Sequence, residues 1–121
     1  MKKIFAALMF ILLITGCSGG GSYTDVSVDE AKELIDNGEV QVLDVRTPDE
    51  FAAGHIPGAK LVPLQVIESM LSELDQDQKY LVVCRSGNRS TEASEILVEN
   101  GFKNIYNMTS GMNEWKFDIE Q

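Results

Sequence analysis

The sequence predicts a single α/β domain built on buried parallel strands, and three observations support this. Short apolar runs rich in β-branched residues alternate with amphipathic stretches, as expected when strands and helices take turns along a chain. The apolar runs are nearly continuous, which is typical of strands covered on both faces. With 121 residues, the chain has the length of one domain and is too short for two.

Five segments are predicted strands. Segments 40–45 and 80–84 give the clearest signal, because Val, Leu and Tyr occupy most of their positions. The other three predicted strands are segments 23–26, 60–62 and 105–108.

Three segments between the strands have apolar residues at helical spacing. The first helix is expected to begin after Ser27, which can form a capping box with Glu30, and to end at Asn37 and Gly38. The other two predicted helices are segments 64–74 and 91–100.

The amino-terminal sequence predicts an export signal. Lys2 and Lys3 are followed by the apolar segment 4–14, which is too short to span a bilayer core of about 30 Å. Starting at the last residue of this segment, the sequence Ile14-Thr15-Gly16-Cys17 resembles the bacterial lipoprotein signal, which implies cleavage before Cys17. We therefore expect residues 1–16 to be a signal peptide; an uncleaved anchor helix is the alternative.

The same resemblance implies that a diacylglyceryl group is attached to the Cys17 sulfur. Residues 17–22, which include three consecutive glycines, would then form a flexible tether to a domain at 23–121. The predicted location is the cell membrane, with the domain lipid-anchored on the extracytoplasmic side.

The negative charge of the chain makes some classes of binding partner unfavourable. The formal net charge is −9, and it becomes more negative when Lys2 and Lys3 are removed with the signal peptide. An acidic domain of this kind is not expected to bind nucleic acid or to dock electrostatically on anionic lipid. Contact with the membrane is therefore expected through lipid on Cys17.

Cys84 stands where a predicted strand ends and a short polar loop, residues 84–90, leads to a helix. If Cys17 is lipidated, Cys84 has no partner cysteine for a disulfide. A lone thiol in an oxidising compartment then suggests that Cys84 has a chemical role. The loop can direct backbone N–H groups at the sulfur, with Gly87 allowing a positive φ. These N–H groups, the helix dipole, Arg85 and Arg89 are expected to lower the pKa of the thiol.

Several motifs together resemble the rhodanese family from residue 23 to residue 116. They are Asp44-Val45-Arg46, Glu50-Phe51, Gly54-His55-Ile56-Pro57-Gly58-Ala59, Cys84-Arg85-Ser86-Gly87-Asn88-Arg89-Ser90, and Gly111-Met112 before Trp115. The resemblance implies a parallel sheet with helices on both faces. It also implies a sulfurtransferase that needs no metal or organic cofactor.

The resemblance further implies a double-displacement reaction through a Cys84 persulfide. Cys84 would take sulfur from a donor such as thiosulfate or polysulfide and give it to a thiophilic acceptor such as cyanide or a thiol. The persulfide would be cradled by the loop residues Arg85, Ser86, Gly87, Asn88 and Arg89. The expected partners are small sulfur-containing anions and thiol acceptors, and the domain is expected to be monomeric.

Three alternatives remain open at this point. The cell-cycle phosphatases share this fold, but their loop has one residue more between cysteine and arginine than the four between Cys84 and Arg89. A non-catalytic binding or sensing module at the membrane surface is the alternative from another class. Thiol redox chemistry is disfavoured because the chain has no Cys-x-x-Cys pair.

Four other motif residues are interpreted as structural. Arg46 and Glu50 are expected to form an ion pair, with Asp44 accepting hydrogen bonds from the neighbouring loop. His55, the only histidine, precedes a Pro-Gly turn and is expected to serve in hydrogen bonding. One histidine and one free cysteine are too few ligands for a metal site, so none is expected.

Overall fold

The computed structural model describes residues 22–121, which contain a five-stranded parallel sheet. The strands are β1 Thr24–Val26, β2 Gln41–Asp44, β3 Lys60–Leu61, β4 Tyr80–Val83 and β5 Ile105–Met108. They lie in the order β1-β5-β4-β2-β3, so β4 is the central strand. All five predicted strands are confirmed, with differences of no more than one residue at either end.

Four α-helices connect the strands: α1 Val28–Asp36, α2 Pro48–Ala53, α3 Ile67–Met70 and α4 Asn88–Glu99. The predicted capping box at the start of α1 is present. The Ser27 hydroxyl accepts from the Glu30 N–H at 3.1 Å, and the Glu30 carboxylate accepts from the Ser27 N–H at 2.9 Å.

The sheet is covered on both faces, because successive side chains of a strand point to opposite sides. On β4, Leu81 and Val83 pack in one core cluster with Val28 and Ala31 of α1. Val82 packs in the second cluster, which also contains Ile67 of α3 and Ala93 and Leu97 of α4. The predicted α/β class, with a parallel sheet between helices, is therefore confirmed.

The prediction of one continuous helix over 64–74 is wrong. The segment consists of a 3-10 turn at Leu64–Val66, the short helix α3, and a second 3-10 turn at Leu71–Glu73. Side chains three residues apart lie on one face in both helix types, so the apolar spacing identified the buried face without identifying the hydrogen-bond pattern.

The sequence prediction missed α2 and placed the start of α4 three residues late. α2 has only six residues, which is too short for a periodic signal. Its markers are local: Thr47 caps it, Pro48 opens it and Glu50 completes a capping box. The early start of α4 at Asn88 brings the first turn of the helix to Cys84, with the Ser90 nitrogen 3.2 Å from the sulfur.

The predicted signal peptide 1–16, Cys17 and the tether up to residue 21 lie outside the described residues. Among residues 22–121, no helix is long and apolar enough to cross a bilayer.

Candidate active site

Cys84 follows the last residue of β4 and begins the loop that leads into α4. Gly87 lets the loop close, because its φ of 105° lies in the left-handed region that favours glycine. A Cβ on Gly87 would also overlap the backbone carbonyl oxygen of Thr109. The central strand and this glycine together place the sulfur at the amino end of α4.

Two backbone N–H groups donate to the Cys84 sulfur. The Gly87 nitrogen lies 3.1 Å from Sγ and the Ser90 nitrogen lies 3.2 Å from it. Cys84 itself is buried, with 1% of its surface exposed. Because the free N–H groups of a helix start carry partial positive charge, this arrangement favours negative charge on the sulfur.

The pKa of Cys84 lies below the ordinary value of a cysteine. Burial raises the pKa of the thiol, but hydrogen bonds from the Ser90 hydroxyl and from the N–H groups of Ser90, Gly87 and Ser86 together outweigh burial. The Ser90 hydroxyl also lies 3.1 Å from the Gly87 carbonyl oxygen, to which it donates. Since a hydroxyl has one proton, it must rotate away from this carbonyl to donate to the thiolate. The backbone donors are fixed.

A second backbone segment fixes the beginning of the loop. The Met112 N–H donates to the Cys84 carbonyl at 2.8 Å, and the Asn113 N–H donates to the Arg85 carbonyl at 2.9 Å. Gly111 makes this close approach possible, because a Cβ there would overlap the backbone of Arg85. The loop is therefore held from both sides, by α4 and by the segment after β5.

Arg89 is held by Glu50, so the predicted Arg46–Glu50 ion pair is wrong. The two Arg89 nitrogens donate to the Glu50 carboxylate at 2.7 and 3.0 Å. These bonds are the largest cause of a Glu50 pKa lowered to about 2, against the opposing effect of burial. The pKa of Arg89 is raised, first by the bonds to Glu50 and further by the charges of Glu50 and Cys84. Glu50 is thus the main partner of Arg89, and a negative charge on Cys84 would add to the stabilisation of the guanidinium charge.

Arg46 pairs with Asp44 instead. The two residues are buried, and their closest charged atoms lie 2.7 Å apart. Asp44 also accepts from the Arg46 backbone N–H, and Arg46 donates to the Gly54 carbonyl at 2.8 Å. A buried ion pair satisfied by further hydrogen bonds joins the end of β2 to the end of α2.

His55 lies against the last turn of α2. Its Nδ1 lies 2.8 Å from the Phe51 carbonyl oxygen, and its ring stacks on the Phe51 ring with centroids 3.7 Å apart. Within the described residues, no group of three or more His, Cys, Asp or Glu side chains is placed to hold a metal ion.

Sequence reasoning gave no role to Ser90 and gave Glu50 the wrong partner. The available signal for Ser90 was its position in the first turn of the helix that follows Cys84. The Glu50–Arg89 pair spans 39 positions and had no local signal.

The fold and the loop define an α/β protein with a buried cysteine whose sulfur accepts hydrogen bonds from two backbone N–H groups. The sequence model of the rhodanese-like domain matches residues 27–118, and the chain belongs to this family. The predicted resemblance to the rhodanese family is confirmed. The thiosulfate sulfurtransferase GlpE of Pseudoalteromonas translucida is 34% identical over 95 residues, which cover 78% of this chain and 90% of that protein.

Solved structures show the same fold. SSP1007 of Staphylococcus saprophyticus has a TM-score of 0.75 at 34% identity, covering 81% of this chain and 99% of that one. The human single-domain sulfurtransferase TSTD1 has a TM-score of 0.72 at 28% identity, and the match covers 78% of this chain and 96% of that one.

Proposed function

We propose that the protein is a sulfurtransferase in which Cys84 carries sulfane sulfur as a persulfide. The observation that carries the proposal is the pair of hydrogen bonds from the Gly87 and Ser90 N–H groups to the Cys84 sulfur. They stabilise the thiolate that must attack a donor, and fixed backbone donors need no reorganisation during the reaction. Relatives named thiosulfate sulfurtransferase support this assignment.

In the first step, the Cys84 thiolate attacks the outer sulfur of thiosulfate. The sulfur–sulfur bond of thiosulfate breaks, and sulfite leaves with the bonding electron pair. In the second step, an acceptor such as cyanide attacks the outer sulfur of the persulfide, and Cys84 leaves as the thiolate. The helix dipole and the N–H groups stabilise negative charge at the sulfur in both steps.

The closed loop favours sulfur over phosphate as the transferred group. Its N–H groups already lie within 3.2 Å of Sγ, and Cys84 is 1% exposed. A phosphate group needs a wider ring of donors around several oxygens, whereas a persulfide adds one atom to the cysteine. The short spacing from Cys84 to Arg89 therefore supports sulfur transfer.

We also propose that lipid on Cys17 places this activity at the extracytoplasmic side of the cell membrane. The support is the lipoprotein-like sequence Ile14-Thr15-Gly16-Cys17 after a charged and apolar amino-terminal segment.

Steady-state kinetics with thiosulfate and cyanide tests the two-step mechanism. We expect thiocyanate and sulfite in equal amounts and parallel double-reciprocal plots, because sulfite leaves before cyanide reacts. Intersecting plots would show that both substrates bind before sulfur moves, which contradicts a persulfide intermediate.

A further inference from the structure

A groove of about 370 Å³ lies beside the Cys84 loop, and the reaction with thiosulfate and cyanide does not account for its size. The volume lies within the range of protein pockets that bind small organic molecules. Arg85, the residue after Cys84, forms part of the lining, and so does Glu50, which holds Arg89 of the same loop. The groove therefore lies next to the loop that carries the Cys84 sulfur.

One wall of the groove is apolar. It is formed by Ala53, Met112, Trp115 and Ile119. Ile119 is 51% exposed and is one of two large hydrophobic side chains exposed in residues 22–121. An exposed aliphatic side chain in a groove lined by an indole and a thioether is suited to contact an apolar ligand body.

The segment that carries Ile119 is fixed to the domain. Glu120 and His55 exchange two backbone hydrogen bonds, of 2.8 and 2.9 Å, and the Gln121 side chain donates to the Ala53 carbonyl at 3.0 Å. Ile119 lies just beyond the residues 27–118 that match the rhodanese-like domain. Of the four residues of this wall, Ile119 therefore comes from outside the part of the chain that defines the family, whereas the other three lie within it.

The polar side of the groove favours an anion. The three arginines of the chain, Arg46, Arg85 and Arg89, all lie at this site, although the net charge of the chain is −9. Arg46 is paired with Asp44, and Arg89 is paired with Glu50, both at 2.7 Å. The Arg85 side chain is 67% exposed and approaches Glu50 only to 4.0 Å. Its charge is available to a ligand.

We propose that this Arg85–Ile119 groove binds the sulfur acceptor, and that the acceptor is a small organic thiol with an apolar body and a carboxylate. The inference rests on the proposed sulfurtransferase function. Arg85 would bind the carboxylate, and Met112, Trp115 and Ile119 would contact the body. The acceptor thiolate attacks the outer sulfur of the Cys84 persulfide, a new sulfur–sulfur bond forms on the acceptor, and Cys84 leaves as the thiolate.

Two probe acceptors of equal length test the anionic contact. Mercaptohexanoate and mercaptohexanol differ in a carboxylate and a hydroxyl far from the thiol, so their intrinsic reactivities are similar. We expect the purified full chain, with thiosulfate as donor, to have a higher kcat/KM for mercaptohexanoate. Arg85→Gln should reduce this preference about fivefold, the size expected for an exposed ion pair.

The apolar contact is tested at Ile119. Ile119→Ala should raise KM about threefold or more for both thiols relative to cyanide in the same variant, because less apolar surface is buried against the ligand. Ile119→Leu should restore KM. Val66→Ala is the matched control, because Val66 is the other exposed large hydrophobic residue at 43% exposure and does not line the groove.

The outcomes separate this inference from the proposed function. If thiosulfate and cyanide react but the two thiols have equal kcat/KM in the wild type and in Arg85→Gln, the groove does not select a carboxylate and the inference is wrong. An unchanged thiol KM in Ile119→Ala would exclude the apolar contact. If Cys84 acquires no sulfur from thiosulfate at all, the proposed function itself fails.

Discussion

Ser90 donates its backbone N–H to the Cys84 sulfur, and its hydroxyl can also donate to the thiolate when it rotates away from the Gly87 carbonyl. Ser90→Ala removes the hydroxyl and keeps the backbone donor. We expect the pKa of Cys84 to rise, so sulfur transfer should slow at neutral pH and recover as the pH increases. The measurement is the pH dependence of the rate of persulfide formation with thiosulfate.

Ser94→Ala is the matched control for this variant. Ser94 lies one turn later on α4, is buried, and its hydroxyl has no hydrogen-bond partner among the described residues. Its removal should leave the pH profile unchanged. If Ser90→Ala gives the same profile as wild type, the backbone donors alone set the thiolate pKa.

Glu50 couples α2 to the Cys84 loop, because the same carboxylate caps α2 and binds Arg89. Its pKa falls from 4.5 to about 2 in the folded protein. A lowered carboxyl pKa stabilises the fold above the unfolded value, and this stability is lost as pH falls from about 4.5 towards 2. Allowing for partial exposure, Glu50→Gln should lower the free energy of unfolding at pH 7 by about 1–2 kcal/mol.

Urea denaturation at pH 7 and at pH 3 checks this prediction. The difference between wild type and Glu50→Gln should shrink at the lower pH, because Glu50 of the unfolded wild type is protonated at pH 3 whereas the folded carboxylate, with its pKa of about 2, still resists protonation. Glu33→Gln, at an exposed position of α1, controls for the loss of one negative charge. A constant difference between the two pH values would show that the Glu50 charge does not stabilise the fold.

At the scale of elements, the length of the loop between β4 and α4 sets the distance between the helix start and Cys84. One glycine inserted between Gly87 and Asn88 should move the Ser90 N–H away from the sulfur and strongly reduce sulfur transfer. A glycine inserted after Gly38, in the exposed turn between α1 and β2, is the control. Equal transfer rates in both variants would show that loop length is not what selects sulfur.

The strands were predictable from sequence because each is a short apolar run that must be buried, which is a local property. The structure of segment 64–74 could not be predicted, because apolar spacing does not distinguish an α-helix from two 3-10 turns around a short helix. α2 could have been predicted from Thr47, Pro48 and Glu50, whose capping signal does not depend on length.

In the candidate site, too, features that depend on neighbouring residues in the sequence were predictable, and features that depend on packing between distant segments were not. The position of Cys84 between a strand and a helix start was predictable because the strand, the loop with its glycine and the helix are contiguous in sequence. The partner of Glu50 could not be predicted, because Arg89 reaches this carboxylate only after α2 and α4 have packed together. Arg46 instead pairs with Asp44, only two positions away in the sequence. The position of Ile119 in the groove wall depends on the backbone pairing of its neighbour Glu120 with His55, and these two paired residues are 65 positions apart in the sequence.

At the scale of the whole molecule, the acidic chain gives the domain no electrostatic reason to lie on an anionic membrane. If Cys17 carries the anchor, Cys17→Ser should release the protein into the soluble fraction or leave it unprocessed. Fractionation and metabolic lipid labelling measure this. Unchanged lipid labelling and membrane retention in Cys17→Ser would contradict the anchor.

The central claim is that Cys84 carries sulfur, and intact-mass spectrometry tests it most directly. After incubation with thiosulfate and removal of excess donor, the wild type should gain the mass of one sulfur atom and lose it on addition of cyanide. Cys84→Ser should gain nothing, with a circular dichroism spectrum matching that of the wild type. A folded wild type that gains no sulfur from thiosulfate or polysulfide, or a Cys84→Ser variant that gains as much, would contradict the account and favour a non-catalytic binding module.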